Sequence, residues 1–186
     1  EDLYRFAESD LYAGMCDELE TLTGIKGYPG FHIGWVKISS NTKPVTKPSD
    51  LAGLKVRTTS SDMYIELVKS FGANPTIVNY GELYTALQQG TVDGMMTTTV
   101  LYVSDRFYEV QKYMGAINPF TIFHMPLINK EWYDSLTPEL QTTLDECMTE
   151  YISFMRKLED EKETASIQAL RDQGMEVYEY SEEEMN

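Results

Sequence analysis

The sequence predicts an α/β protein with a mainly parallel sheet. Three observations carry the prediction. Short β-branched runs alternate with segments of helical period between residues 54 and 98. Gly or Pro punctuates the junctions. The links are short, and β-α-β-α-β with short links is most economically met by parallel strands joined through helices.

The first segment, EDLYRFAESDLYAGMCDELE, is expected to be one helix; it opens without an N-cap signal, which points to a segment upstream. YPGFHIG (28–34) is Gly/Pro punctuation, and residues 31–38 read as a strand. NTKPVTKPSD is a loop in which Ser49 or Asp50 caps the short turn DLAG. LKVRT (54–58) is a strand by length and β-branching. In SDMYIELVKSFG, Met63, Leu67 and Phe71 recur every four residues, Ile65 and Val68 widen the stripe, and Gly72 stops the helix. PTIVN (75–79) is a second strand. GELYTALQQG is a second helix with Leu83, Ala86 and Leu87 inward. TVDGMMTT is a third strand, broken by Asp93-Gly94. VSDRFYEVQKYM reads as a helix and FTIFHMPLIN as one long apolar strand. SLTPELQ starts a long helix with Pro138 near its first position. Leu140, Leu144, Cys147 or Met148, Tyr151, Phe154 or Met155 and Leu158 form its stripe. The pattern runs on through EDEKETAS to Leu170 without a sustained heptad, so a helix bridging two lobes is expected rather than a coiled coil. GMEVYEY is a short final strand.

Composition narrows the function. The 186 residues suffice for one good core or two small lobes. With 15 basic against 30 acidic residues the formal net charge is −15. A phosphate-binding surface needs clustered Lys and Arg, so nucleic acid is not an expected partner, and a seat on anionic lipid is disfavoured. Much of the acid lies in EDLYRFAESD, LEDEKE and SEEEMN and reads as a solvated face. No apolar run is long enough to span a bilayer, so no direct membrane insertion is expected. No signal peptide is visible, so the chain is cytoplasmic, mature or trimmed. Cys16 and Cys147 could form a disulfide or remain two thiols. There is no Cys/His metal spacing, HExxH, GxSxG or Gly-rich phosphate loop, so neither metal nor cofactor is expected. His32 and His124 lie in apolar runs and read as structural. A binding protein without chemistry of its own is the leading expectation. A small α/β lyase or transferase would need a nucleophile or acid–base pair that is not visible; a ligand-sensing domain of the same fold remains open.

In parallel α/β sheets, ligands bind beyond the carboxyl ends of the strands. Arg57 ends the first such strand, followed by Thr58, Thr59 and Ser60; Tyr80 follows the second; Met95, Met96 and Thr97 lie at the third. Topology thus brings a cation, an aromatic ring and a soft hydroxyl-bearing surface to one rim. A guanidinium matches a carboxylate with paired charge-assisted hydrogen bonds, and the helix N-termini after the first two strands add to the field favouring an anion. Each residue also has a plainer role: a surface ion pair for Arg57, packing for Tyr80 and the methionines, strand formation for the threonines.

Taken in order, DLAGLKVRT, SFGANPTIVNYGELYTALQQGTVDG, FYEVQKY and PLINKEWYDSLTPELQ, with the long acidic helix, resemble the DctP-type solute receptors of TRAP transporters. The resemblance runs from about residue 35 to the C-terminus, with a weaker match before it. It implies a periplasmic-binding-protein-like fold of type II, with two α/β lobes, mixed sheets and a long bridging helix. Residues 1–34 and about 123–162 would belong to the first lobe, and 35–122 with 163–186 to the second. It further implies an extracytoplasmic, monomeric protein that closes over an organic acid and delivers it to a membrane permease. By the same resemblance Arg57 grips the carboxylate, Ser60 adds a polar contact, Tyr80 lines the pocket, Thr97 stands where the family often carries asparagine, and Lys37 is a second basic residue; Met95, on the same strand as Thr97, is expected to line the pocket and read the part of the ligand that Arg57 does not hold. Many members read VDGQEN where this chain reads VDGMMT, which implies a less polar acid, such as a small aliphatic, keto or aromatic carboxylate. Members are also longer at both ends, so the chain is expected to lack part of the first lobe and a C-terminal extension.

Overall fold

A computed structural model of the chain describes residues 2–115 and 117–179; Tyr180 of the last expected strand and the acidic SEEEMN lie outside the described residues. In chain order the helices are α1 (Asp2–Ala7), α2 (Asp10–Thr23), α3 (Asp62–Ser70), α4 (Leu83–Gln88), α5 (Thr99–Ser104), α6 (Lys130–Asp134) and α7 (Pro138–Asp172). The strands are β1 (Ile25–Gly27), β2 (Phe31–Ser40), β3 (Lys55–Thr58), β4 (Asn74–Ile77), β5 (Gly94–Thr98), β6 (Tyr113–Met114), β7 (Thr121–His124), β8 (Leu127–Asn129) and β9 (Glu176–Val177). The chain divides into two compact units, Glu1–Ile33 with Ile122–Glu161 and Gly34–Thr121 with Lys162–Asn186.

In the first unit the expected opening helix is two helices. Ser9 sits in extended backbone, accepts from the Tyr12 amide at 3.3 Å and donates to the Phe6 carbonyl at 2.6 Å. A serine that satisfies the orphan amide of a new first turn ends one helix and starts the next. β1 and β8 form a two-stranded antiparallel sheet. The core gathers Tyr28, Phe31 and Ile152. Asp145 on α7 accepts from the Tyr28 hydroxyl at 2.6 Å and from the Tyr133 hydroxyl at 2.7 Å, and the Lys26 ammonium lies 5.0 and 4.7 Å from those two ring centroids. Cys16 and Cys147 are free thiols. The α7 stripe takes the Met148 and Met155 alternatives of the expected one and adds Ile152. Ile152 is buried and Leu144, Met148, Met155 and Leu158 half-buried, while Leu140, Cys147, Tyr151 and Phe154 are exposed.

The second unit is built on a mixed sheet. Its path runs β4-β3-β5-β2-β6-β9. β3 pairs in parallel with β4 and β5, whereas β2 is antiparallel to β5 and β6. The β3-α3-β4-α4-β5 alternation read from the sequence therefore holds, and the antiparallel β2 makes the sheet mixed. Leu83, Ala86 and Leu87 of α4 bury with Met95, Tyr102, Phe107, Met114, Leu170 and Met175 in the unit's core.

Three local expectations are corrected. Gly94 does not break the third strand; it is the first residue of β5, paired to Ser40 and Val56. VSDRFYEVQKYM is not one helix. α5 ends at Ser104, Arg106 takes a left-handed conformation (φ 59), and a short 3-10 turn at Phe107–Glu109 leads to β6. A continuous helix would set Phe107 about 140° around from Tyr102; reversing at Arg106 brings both buried rings to a T-shaped contact with centroids 6.3 Å apart. FTIFHMPLIN is two strands, β7 and β8, separated at Met125 and Pro126, because a proline cannot donate to a ladder.

Candidate functional site

The carboxyl ends of β3 and β5 meet the first half of β2 at one rim of the second unit's sheet. Register places the expected residues on it. Lys37 faces Thr97, Ser39 faces Met95, and Val56 faces Gly94. Side chains alternate across a strand, so Lys37, Ser39, Arg57, Met95 and Thr97 share one face of the sheet.

Arg57 is the best-defined of these residues. The residue is 8% exposed. Nε donates to the Val78 carbonyl at 2.9 Å, which fixes the plane of the guanidinium. The group lies 5.7 Å from the Tyr80 ring centroid. Burial lowers its pKa, against the opposing pull of the Tyr80 and Tyr64 phenols; arginine stays protonated all the same. Among the described residues neither Nη group has a hydrogen-bond partner and no carboxylate pairs with it, nor is either nitrogen sealed from solvent. Two donors of a rigid fork are left free beside an aromatic face.

Tyr80 is 45% exposed at the start of the 3-10 turn before α4, and its hydroxyl donates to Asp105. Burial and that hydrogen bond raise its pKa, so the ring stays neutral under the guanidinium. Thr97 is buried at the end of β5. Ser60 is exposed in the three-residue link between β3 and α3. Lys37 is 5% exposed; burial lowers its pKa while Glu163 and Glu179 oppose the shift. The groups acting on the Lys37 ammonium are thus carboxylates, and those acting on Arg57 are phenols; the two cations share a face without sharing surroundings.

Met95 is a correction. It lies on the same sheet face as Arg57 and Thr97 but has no exposed surface, because it packs in the core with Leu83, Leu87 and Tyr102. Tyr64, in the first turn of α3, was missed. Its ring makes a T-shaped contact with Phe120 at 5.2 Å, and burial raises the pKa of its phenol against the lowering pull of the nearby Arg57 cation. The signal was present in the sequence: an aromatic off the helix stripe, immediately after the strand that carries Arg57. The first turn of α3 lacks a side-chain cap on Ser61, which leaves its amides open to an anion, though Asp62 offsets part of that field.

The histidines pack on rings, His32 on Tyr4 at 5.4 Å and His124 on Phe31 at 6.1 Å. Among the described residues no cluster of three His, Cys, Asp or Glu could hold a metal, and no helix is long and apolar enough to cross a membrane.

The family model for bacterial extracellular solute-binding proteins of family 7, DctP, matches residues 1–186. The chain is 34% identical over 154 residues to the 2,3-diketo-L-gulonate-binding periplasmic protein of Escherichia coli K12, covering 83% of this chain and 47% of that protein. It is 30% identical over 185 residues to the C4-dicarboxylate-binding periplasmic protein of Rhodobacter capsulatus, covering 99% and 55%. A solved TRAP periplasmic solute-binding protein from Sulfitobacter sp. NAS-14.1, with bound β-D-galacturonate, matches with a TM-score of 0.87 at 29% identity, over 95% of this chain and 59% of that one. The chain spans about half the length of the curated relatives it matches. It belongs to family 7 of the bacterial extracellular solute-binding proteins, the DctP-type receptors of TRAP transporters.

Proposed function

We propose that the full-length protein binds an organic acid by its carboxylate, outside the cytoplasmic membrane, and delivers it as a monomer to a TRAP permease without chemistry of its own. One observation carries the reading. In a chain with 30 acidic residues, Arg57 is buried and has no acidic partner among the described residues. An unpaired buried cation costs free energy, and a ligand carboxylate would supply the missing charge and accept from both Nη groups.

Around that carboxylate, Tyr80 supplies a ring face, Ser60 and Thr97 supply hydroxyls, and Lys37 is a second cation on the same sheet face. The two compact units are the portions of two lobes that this chain contributes. The polar inventory is thin: Thr97, the β5 residue that shares the Arg57 face at the strand end, brings a hydroxyl and no amide or carboxylate. That favours an acid with a less polar body than a sugar acid, because a polyhydroxylated ligand would leave hydroxyls unpaired.

The test is calorimetric titration of the full-length protein with short aliphatic, 2-keto, aromatic and sugar acids, repeated with Arg57→Ala. Binding of one class, abolished in the variant, supports the reading. Equal affinity in the variant overturns the role of Arg57, and preference for a polyhydroxylated acid overturns the ligand class.

A further inference from the structure

The carboxylate anchor is only half described by Arg57. We propose that Tyr64 is its second half: the phenol hydroxyl donates to the carboxylate held by the guanidinium, which makes Tyr64 a determinant of acid recognition. This rests on the reading of Arg57 given above.

Four observations converge on the phenol. Tyr64 lies in the first turn of α3, three residues after the link that follows β3, so the chain path itself brings it to the strand end that carries Arg57. The residue is half-buried, yet among the described residues its hydroxyl has no hydrogen-bond partner and is not sealed from solvent. A half-buried phenol usually finds a partner, so an open one at the rim of a site calls for a ligand or water. By contrast, the Tyr80 hydroxyl is committed to Asp105 and the Tyr84 hydroxyl to Glu109. The Tyr64 ring is also held in place. Phe120 meets it edge to face at 5.2 Å, and Phe120 is itself fixed because its carbonyl accepts from the Val36 amide at 3.0 Å.

The chemistry is selective. Burial raises the Tyr64 pKa and the nearby Arg57 lowers it; the net shift is upward, so the phenol keeps its proton at neutral pH. A neutral phenol donates to an anion without adding charge. A guanidinium fork and one phenol donor together offer three hydrogens to a carboxylate, more than a neutral amide oxygen can accept well. The pair therefore discriminates an acid from its amide more strongly than Arg57 would alone.

The experiment uses the full-length protein at neutral pH, titrated with succinate, D-galacturonate, 2-oxobutyrate and benzoate, and with the amide of whichever acid binds. Tyr64→Phe keeps the ring and its contact with Phe120 and removes only the hydroxyl. It should weaken the acid by about tenfold or more, the usual value of a hydrogen bond to a charged group, and should shrink the acid-to-amide ratio. Phe120→Leu, which keeps the hydroxyl and removes the brace, should cost less. Unchanged acid affinity in Tyr64→Phe, with binding still lost in Arg57→Ala, overturns the role of Tyr64 and leaves that of Arg57 standing. If no acid binds the wild type, or if Arg57→Ala binds as well as wild type, both readings fall.

Discussion

A Cβ atom placed on Gly94 would lie 2.1 Å from the carbonyl oxygen of Ser39 on the neighbouring strand. The glycine of the Val-Asp-Gly turn is therefore kept for closeness, not for a left-handed backbone; it is absent from the glycines with positive φ. It lets β2 and β5 approach at the point where Ser40 faces Gly94, and so sets the register that puts Lys37 opposite Thr97.

Gly94→Ala should destabilise the protein by about 3 kcal/mol, the upper part of the range for overpacking, since the obstacle is backbone and cannot rotate away. Chemical denaturation measures it. A loss under 1 kcal/mol would show that β2 can shift freely, and the register argument would fail.

Arg57 separates stability from binding. Its guanidinium is buried without an acidic partner among the described residues, so Arg57→Leu removes an uncompensated charge along with one hydrogen bond to Val78. The unliganded variant should melt within about 1 kcal/mol of wild type, or above it, while acid binding disappears. Arg57→Lys keeps the charge but loses the fork and should bind about tenfold or more weakly. Thermal melts with and without the bound acid check both. A variant that is several kcal/mol less stable without ligand would mean the arginine is structural.

Asp145 gives the first unit a pH dependence of known sign. Burial alone would raise its carboxyl pKa, but the Tyr28 and Tyr133 hydroxyls and Lys26 outweigh burial and hold it below the ordinary value. A carboxyl with a depressed folded pKa stabilises fully above its unfolded value of about 4, and the contribution is lost as pH falls through the folded pKa. Asp145→Asn should cost about 1–2 kcal/mol at neutral pH. The gap to wild type should close in acid, and melts from about pH 7 to about pH 3 would show it. A pH-independent gap would mean that the carboxylate charge contributes nothing.

Where the sequence was legible, local chemistry and tertiary packing agreed. Strand β3 and helices α3 and α4 follow from β-branching, helical period and Gly stops, though the α3 stripe leaves Met63 60% exposed and half-buries Tyr64 with Ile65 and Leu67 beside the buried Val68. That Lys37, Arg57 and Thr97 share one sheet face followed too, because strand ends and register are set by topology. What stayed hidden depended on partners distant in sequence. The break at Arg106 is dictated by Tyr102 and Phe107 needing the same core. The fate of Met95 and Met96 turns on strand parity, and only pairing with Ser39 and Ile38 reveals which face each takes. Tyr64 stayed hidden because it lies off the stripe of Met63, Leu67 and Phe71, and an off-stripe aromatic gains meaning only from the Arg57 beside it in the fold.

Tyr80 tests how much of the rim is ring and how much is tether. Its ring lies 5.7 Å from the Arg57 guanidinium and 6.2 Å, edge to face, from Phe107, while its hydroxyl reaches Asp105 at the end of α5. Tyr80→Phe keeps the ring face and the Phe107 contact and releases the tether, so acid affinity should fall only about two- to threefold, as expected when an exposed hydrogen bond of about half a kcal/mol is lost. Tyr80→Ala removes the face that steadies the guanidinium and should cost about fivefold or more, the value of a partly exposed cation–π contact of about 1 kcal/mol. Titration of both variants with the same acid separates the two parts. If Phe binds as poorly as Ala, the Asp105 tether rather than the ring holds Arg57 ready. If both bind like wild type, Tyr80 packs against Phe107 and takes no part in acid binding.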